Sequence, residues 1–124
     1  MDILISNASD KPIYEQITGQ IKGLILSGAL SAGDALPSMR YLAKELRISV
    51  ITTKRAYMDL ERDGFIVTVT GKGTFVADKN IDFIREEKLR QIDRHLQDAI
   101  DAARQAGIPL KELTQALETL YEGE

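Results

Sequence analysis

One segment near the middle of the chain combines hydroxyl, cationic and methyl-bearing side chains. Residues 49–55 read Ser-Val-Ile-Thr-Thr-Lys-Arg. Hydroxyl and cationic groups can bind DNA phosphates or base edges, and methyl-bearing side chains can contact the thymine methyl in the major groove. The alternative is a solvated helix face with two incidental β-branched residues. The candidate DNA contacts in this segment are Ser49, Val50, Ile51, Thr52, Lys54 and Arg55.

A second group lies in the sequence Pro37-Ser38-Met39-Arg40. Ser38 is a suitable N-cap for a helix, and a helix N-terminus attracts phosphate. Arg40, in the first turn of that helix, could bind a phosphate or make a bidentate contact to guanine. The alternative is a surface arginine paired with a carboxylate such as Asp34.

A third group is Gly71-Lys72-Gly73. Glycines permit a close backbone approach, so that the single cation could lie along a phosphate ridge or the minor groove. A plain flexible turn would explain both glycines without any ligand. Each of the three groups is ambiguous alone, and the elements that position them decide the interpretation.

Three predicted helices precede the glycine-rich segment. Apolar residues at helical spacing predict the first over about Pro12 to Ser27. The second follows Ser38 and ends near Leu46, and the third runs from Val50 to Asp63 with Ser49 as its N-cap. Two helices joined by about three residues form a helix-turn-helix. The predicted buried face of the third helix consists of Thr53, Ala56, Tyr57 and Leu60.

After the third helix the apolar period changes to two. Residues 65–69 and 74–77 are β-branched and aromatic, and they predict a β-hairpin with a glycine-rich tip. Helix, helix-turn-helix and hairpin occur in the order of a winged helix, in which the three candidate groups face the same side. The expected fold class is α+β, mainly α with a small β-hairpin, and residues 1–78 are expected to form a winged helix-turn-helix DNA-binding domain.

Residues 79–124 are predicted to form a two-helix dimerisation tail. Helical spacing resumes at Ile81 and stops at Gly107 and Pro109, which gives helices of roughly 26 and 13 residues. A long amphipathic helix with nothing comparable to cover it in its own chain indicates a partner chain. The residues predicted to form this interface between two copies are Ile84, Leu89, Ile92, Leu96, Ile100, Leu113, Leu117 and Leu120.

Composition excludes several other classes of function. The 124 residues include no Cys and one His, so thiol nucleophiles, Cys–Zn sites and multi-His metal sites within one chain are excluded. That residue, His95, is interpreted as an exposed polar side chain, with a metal ligand or a pH switch as the alternative. No Ser/His/Asp set and no Walker-type phosphate loop is present, so we expect no enzyme, no cofactor and no metal site. Without a run of ~20 apolar residues or a secretory signal, we expect a cytoplasmic protein with no membrane partner.

The net charge of −3 is distributed unevenly along the chain. Residues 1–77 hold nine Lys/Arg and eight Asp/Glu, whereas residues 78–124 hold seven and eleven. Within residues 36–76, seven basic side chains outnumber four acidic ones. The local field at a contact surface governs association with DNA, so the acidic total does not exclude it. Non-specific DNA affinity should nevertheless be modest.

Ordered motifs run through roughly residues 11–77. They are Pro12-Ile13-Tyr14-Glu15-Gln16-Ile17, Gly33-Asp34-x-Leu36-Pro37-Ser38-x-Arg40-x-Leu42-Ala43, Ala56-x3-Leu60-x3-Gly64 and Gly71-Lys72-Gly73-Thr74-Phe75-Val76. As a set they resemble the N-terminal domain of GntR-family bacterial transcription regulators. The short two-helix tail resembles the YtrA-type subfamily, whose members are small dimeric repressors often encoded beside ABC-transporter genes.

The resemblance implies a role for several residues. It implies that Arg40 is the operator-contacting arginine of the second helix and that Ser49, Thr52 and Lys54 are recognition-helix contacts. It also implies that Gly71 to Gly73 form the wing tip that approaches the minor groove.

One position departs from the family pattern. Many members carry an arginine directly after the serine matched by Ser49, where this chain has Val50. A bidentate arginine–guanine contact contributes ~1–3 kcal/mol of discrimination, so this chain is expected to read a different base there, for example through a thymine methyl. Arg47 and Arg55 are two alternative sources of the missing charge.

The resulting hypothesis is a sequence-specific transcriptional regulator that binds a double-stranded DNA operator. We expect a repressor that binds an inverted repeat as a homodimer, and the resemblance adds possible control of ABC-transporter genes. The alternative is a winged-helix protein-interaction module that has lost DNA binding, for which the acidic balance and Val50 are the motivation. The sequence assigns neither the operator nor a small-molecule effector.

Overall fold

The computed structural model describes residues 1–78 and 81–123. Its contacts divide the chain into two compact units, Met1–Ile84 and Arg85–Glu124. Residues 79 and 124, which are the two ends of the tail predicted from the sequence, lie outside the described residues. Each unit is therefore described by itself.

The first unit begins with three helices, α1 (Ile13–Leu26), α2 (Met39–Leu46) and α3 (Val50–Arg62). Each lies within one residue of the bounds that its apolar spacing predicts. Pro12 precedes α1 in an extended conformation and is its N-cap, because its ring fixes φ and it has no N–H to leave unpaired. Three residues separate α2 from α3, which confirms the helix-turn-helix.

The centre of the core lies between α1, α3 and the sheet. Ile17 and Ile21 of α1, Leu60 of α3, and Ile66 and Val76 of the sheet are almost completely buried. Burial of one such aliphatic side chain contributes ~1.5–3 kcal/mol, so these five supply a substantial part of the apolar stabilisation of the unit. The candidate DNA-contacting elements, α2, α3 and the hairpin, therefore pack against a well-buried core.

The sheet has three strands, where the sequence analysis predicted a two-stranded hairpin. Strands β2 (Ile66–Val69) and β3 (Gly73–Val76) form the predicted hairpin. Strand β1 (Ala35–Leu36) pairs with the side of β3 that faces away from β2, so that the strand order is β1-β3-β2. All pairing is antiparallel, with Ala35 opposite Phe75 and Ile66 opposite Val76. Proline favours an extended residue before it, which suits Leu36 to this short edge strand. The hairpin strands each begin one residue away from the predicted position.

The remaining helices are α4 (Ile81–Ala106) and α5 (Leu110–Glu122). Their lengths of 26 and 13 residues confirm the two helices predicted in the tail. Ile81 and Ile84, at the start of α4, belong to the first unit and pack against its core. Ile84 therefore differs from the other candidate interface residues, because it packs in the first unit and they belong to the second.

The second unit leaves most of its apolar side chains in solvent. Ala103 is the one buried side chain among its described residues. Ile100 and Leu113 are partly buried and line a groove of about 260 Å³ between α4 and α5. The exposed candidates for the dimer interface are Leu89, Ile92, Leu96, Leu117 and Leu120, the last with 77% of its surface accessible.

Candidate nucleic-acid interface

The start of α2 presents one capping hydroxyl and one exposed cation. Ser38 is the N-cap of α2, and its hydroxyl oxygen accepts a hydrogen bond of 3.1 Å from the Tyr41 amide. The hydroxyl proton of an N-cap serine is still available for a second acceptor, such as a phosphate oxygen. Arg40 is exposed and forms no ion pair with any described residue. Asp34, its alternative partner, instead accepts from the Ser31 amide at 2.8 Å.

The turn between α2 and α3 contains an exposed arginine with an unusual backbone. Arg47 is the C-cap of α2 and adopts the left-handed conformation, with φ 57° and ψ 50°. The following amide, of Ile48, donates to the Ala43 carbonyl at 2.9 Å and closes the turn. The side chain of Arg47 extends from this turn without an ion-pair partner among the described residues.

Helix α3 is buried along the face that its spacing predicts. Ser49 is the N-cap and accepts from the Ile51 amide at 3.0 Å. Val50, Ile51 and Lys54 are exposed, and Thr52 is partly buried. The buried side chains of α3 are Thr53, Ala56, Tyr57 and Leu60, as expected.

Arg55, also on α3, is engaged within the chain. Its guanidinium carbon lies 4.1 Å from the centre of the Tyr14 ring, and its Nη2 donates to the Tyr14 hydroxyl at 3.3 Å. Its Nε lies 3.7 Å from the Asp59 carboxylate. A guanidinium over an aromatic face gains cation–π attraction, so these contacts tie α3 to α1.

Two buried hydroxyls join α3 to the start of α2. The Thr53 hydroxyl shares its donor between the carbonyls of Met39 and Val50, each 3.0 Å away. The Tyr57 hydroxyl donates to the Pro37 carbonyl at 2.7 Å. Burial raises the pKa of Tyr57 to about 12, so the phenol remains a neutral donor at physiological pH.

These hydroxyl contacts bring two of the three candidate groups together. The carbonyls that accept from α3 belong to residues on either side of Ser38, so the first turns of α2 and α3 are neighbours. Sequence reasoning placed Thr53 and Tyr57 in the core and missed this positioning role. The available signal was two hydroxyl-bearing side chains on an otherwise apolar helix face, which need hydrogen-bond partners when buried.

The third group is the tip of the hairpin. The Lys72 amide donates to the Val69 carbonyl at 2.9 Å and closes the turn. Gly71 and Gly73 have φ of 78° and 122°, values that residues with a Cβ rarely adopt. Lys72 is exposed and unpaired among the described residues. No hydrogen bond between described residues joins this tip to α2 or to the start of α3.

The charges of residues 36–76 fall into a paired group and an unpaired group. Asp59 and Asp63 are neutralised by neighbouring cations, since Arg62 lies 2.9 Å from Asp59 and Lys22 lies 3.0 Å from Asp63. The hydrogen bond from Lys22 is the main cause that lowers the pKa of Asp63. The basic residues with no ion pair among the described residues are Arg40, Lys44, Arg47, Lys54 and Lys72.

Two other kinds of site are not found. Within residues 1–78 and 81–123, no three His, Asp or Glu side chains are placed to hold a metal ion. No helix in the same residues is long and apolar enough to span a bilayer.

Comparison with known proteins identifies the family. Residues 13–76 match the model of the bacterial regulatory proteins of the gntR family. The transcriptional repressor YtrA of Bacillus subtilis is 40% identical over 111 residues, which cover 90% of this chain and 85% of that protein. Its name, like those of the other matched relatives, describes a transcriptional regulator and not an enzyme.

Two solved structures extend the comparison. A GntR-family transcriptional regulator from Listeria monocytogenes superposes with a TM-score of 0.67 and 32% identity, over 93% of this chain and 98% of that one. AraR(DBD) in complex with operator ORX1 superposes with a TM-score of 0.54 and 28% identity, over 62% of this chain and 96% of that one. The winged helix-turn-helix, the matched family model and these likenesses together establish that the chain belongs to the GntR family of transcriptional regulators.

Proposed function

We propose that the protein is a repressor that binds an inverted-repeat operator in double-stranded DNA as a homodimer. The observation that supports this most directly is the concentration of unpaired cations on α2, the turn, α3 and the wing tip. Lys and Arg side chains that neutralise phosphates supply the main part of protein–DNA affinity. The likeness to AraR(DBD), which was solved with its operator, agrees with this use of the fold.

Most of the candidate residues receive a role in the proposal. Arg40 binds a phosphate or a guanine edge, and the capping hydroxyls of Ser38 and Ser49 donate to phosphates. Lys54 contacts the DNA from α3. The backbone of Gly71 and Gly73 allows Lys72 to approach the sugar–phosphate surface. Arg55 already has partners on Tyr14 and Asp59, and we assign it to orienting α3.

The dimer in this proposal is formed by α4 and α5. Several of their leucines and isoleucines are exposed to solvent and form an apolar surface. An identical surface on a second copy would cover it. Two-fold symmetry of the protein would then match an inverted repeat with half-sites about one helical turn apart. Repression, and transporter genes as targets, are proposed from the similarity to YtrA and its subfamily. Genomic DNA as the target implies the cytoplasm as the location.

Selection of bound fragments from the native genome by the full-length protein would test this function. The recovered fragments are expected to share an inverted repeat, and loss of the protein should raise transcription of the adjacent genes. Fluorescence anisotropy on that repeat would follow, with Arg40→Ala as the test variant. Arg94→Ala is the matched control, because Arg94 is an exposed arginine of α4 with no partner among the described residues.

We expect Arg40→Ala to weaken operator binding about ten-fold or more, whereas Arg94→Ala should leave it unchanged. If Arg40 contacts a phosphate, the slope of log affinity against log salt should also fall by about one. Fragments without a shared motif, together with an affinity that Arg40→Ala does not change, would contradict the proposal. That result would favour the protein-interaction module instead.

A further inference from the structure

The first turn of α3 carries two exposed β-branched side chains. Ile51 has 80% of its surface accessible and Val50 has 39%, and neither belongs to the core cluster. Both follow directly after the Ser49 N-cap, in the turn that lies next to the start of α2. The helix that is proposed to enter the major groove therefore begins with two exposed apolar side chains.

Exposed cations without ion-pair partners accompany this apolar pair. Lys54 and Arg47 lie on either side of it in sequence, and Arg40 is on the adjoining turn of α2; all three are exposed without an ion pair among the described residues. Arg55 is turned toward Tyr14 and Asp59. Exposed cations next to apolar side chains complement a polyanion that also carries apolar groups, and they do not complement a second copy of the same surface.

The major groove offers one apolar group, the C5-methyl of thymine. Val50 and Ile51 have no side-chain donor or acceptor, so they cannot pair with the polar edge of any base. We propose that these two side chains read thymine methyl groups, so that each operator half-site carries thymine opposite the start of α3. The inference deepens the proposed function and rests on it, because it assumes that α3 lies in the major groove.

Replacing thymine by deoxyuridine tests the inference, because this change removes the methyl and keeps every hydrogen-bonding group of the base. Each thymine of the selected operator would be replaced singly, and binding would be measured by anisotropy with the full-length protein. At one or two positions in each half-site, affinity should fall about four-fold for each methyl lost. The same deoxyuridine operator should show no such loss with Ile51→Ala and Val50→Ala combined, because the contact is already absent.

Two controls accompany this experiment. Leu4→Ala removes a similar side chain that is 79% exposed and lies outside α2 and α3, and it should keep the full deoxyuridine effect. Thermal unfolding of the Val50 and Ile51 double variant should confirm that it stays folded at the temperature of the binding measurement.

Two results would be negative, and they are distinguishable. If the operator binds but no deoxyuridine position lowers affinity, or the loss persists in the Val50 and Ile51 double variant, the methyl-reading inference is overturned while the proposed function stands. If no DNA sequence is bound above the non-specific level, the proposed function itself fails and the inference with it.

Discussion

At Tyr57, one phenol oxygen lies 2.7 Å from the Pro37 carbonyl and connects the middle of α3 to the residue before the α2 N-cap. Thr53 makes a parallel connection one turn earlier, to Met39. The side chains proposed to contact DNA are exposed, and they are positioned indirectly. The two buried hydroxyls hold α3 against the start of α2, which are the helices that carry most of those side chains. Removing the Tyr57 hydroxyl would take its hydrogen-bond donor away from the Pro37 carbonyl, which lies outside α2, and this costs ~1–3 kcal/mol.

Tyr57→Phe should lower the free energy of unfolding by ~1–3 kcal/mol at neutral pH, because the Pro37 carbonyl loses its donor. Burial raises the pKa of Tyr57 to about 12 from its ordinary value of 10.0. Below pH 10 the phenol is neutral in both the folded and the unfolded state, so its contribution is fully present. Between pH 10 and 12 the unfolded chain loses the proton first, so the Tyr57 contribution falls by about 1.4 kcal/mol per pH unit.

Urea unfolding of both proteins at pH 8, 10 and 11 would measure this difference. The advantage of the unchanged protein over Tyr57→Phe should be constant from pH 8 to just below pH 10 and should shrink at pH 11. An advantage that stays constant through pH 11 would show that the phenol titrates alike in both states.

At the scale of elements, the helices and the hairpin were predictable because their apolar periods are local. Strand β1 was not, since two residues are too short to show a period and the strand forms by pairing with β3, about 40 positions along the chain. The contacts of Arg55 within the chain were not predictable for the same reason. Its partner Tyr14 lies 41 residues earlier, and no local pattern near α3 indicates that the ring is there.

The wing tip provides an element-level prediction about glycine. Gly71 has a φ of 78°, and a Cβ added there would meet no atom within 4 Å, so Gly71→Ala should be penalised by backbone conformation alone. The expected loss is ~1–2 kcal/mol. Gly19 lies inside α1, where an added Cβ also meets nothing within 4 Å.

Gly19→Ala is the matched control, because the same methyl group is added at an ordinary helical position. It should stabilise the protein by ~0.5–1 kcal/mol. Thermal unfolding would thus move in opposite directions for the two variants, by ~4–8 °C per kcal/mol for a unit of this size. Two shifts of the same sign would contradict this assignment of the turn backbone.

At the scale of the whole molecule, charge and apolar surface are segregated along the chain. The net charge of −3 hides an excess of three basic residues in residues 36–76 and an excess of four acidic residues in residues 78–124. Under the proposed function, the basic part binds DNA locally, and we expect the acidic part to keep non-specific attraction low. Under the proposed function, affinity then depends on two half-sites being bound together, because joining two modules raises the effective concentration for the second contact.

Leu96→Asp combined with Leu117→Asp tests this dependence. Both leucines are exposed and line the groove between α4 and α5, so two carboxylates there should prevent a second copy from covering it. We expect a monomer by analytical ultracentrifugation. Affinity for the inverted repeat should fall by the ~10²–10⁴ that a joined second site supplies, to the level measured on a single half-site.

Gln91→Asp is the control for the added charge, since Gln91 is exposed on α4 at about 160° around the helix from Leu89 and faces away from the apolar stripe. It should remain a dimer and bind the repeat normally. Circular dichroism would confirm that the double variant keeps its helices, and its affinity for a single half-site should match that of the unchanged protein. A double variant that stays dimeric would exclude the α4–α5 groove as the interface. A monomer that binds the full repeat as tightly as before would instead show that dimerisation contributes nothing to operator recognition.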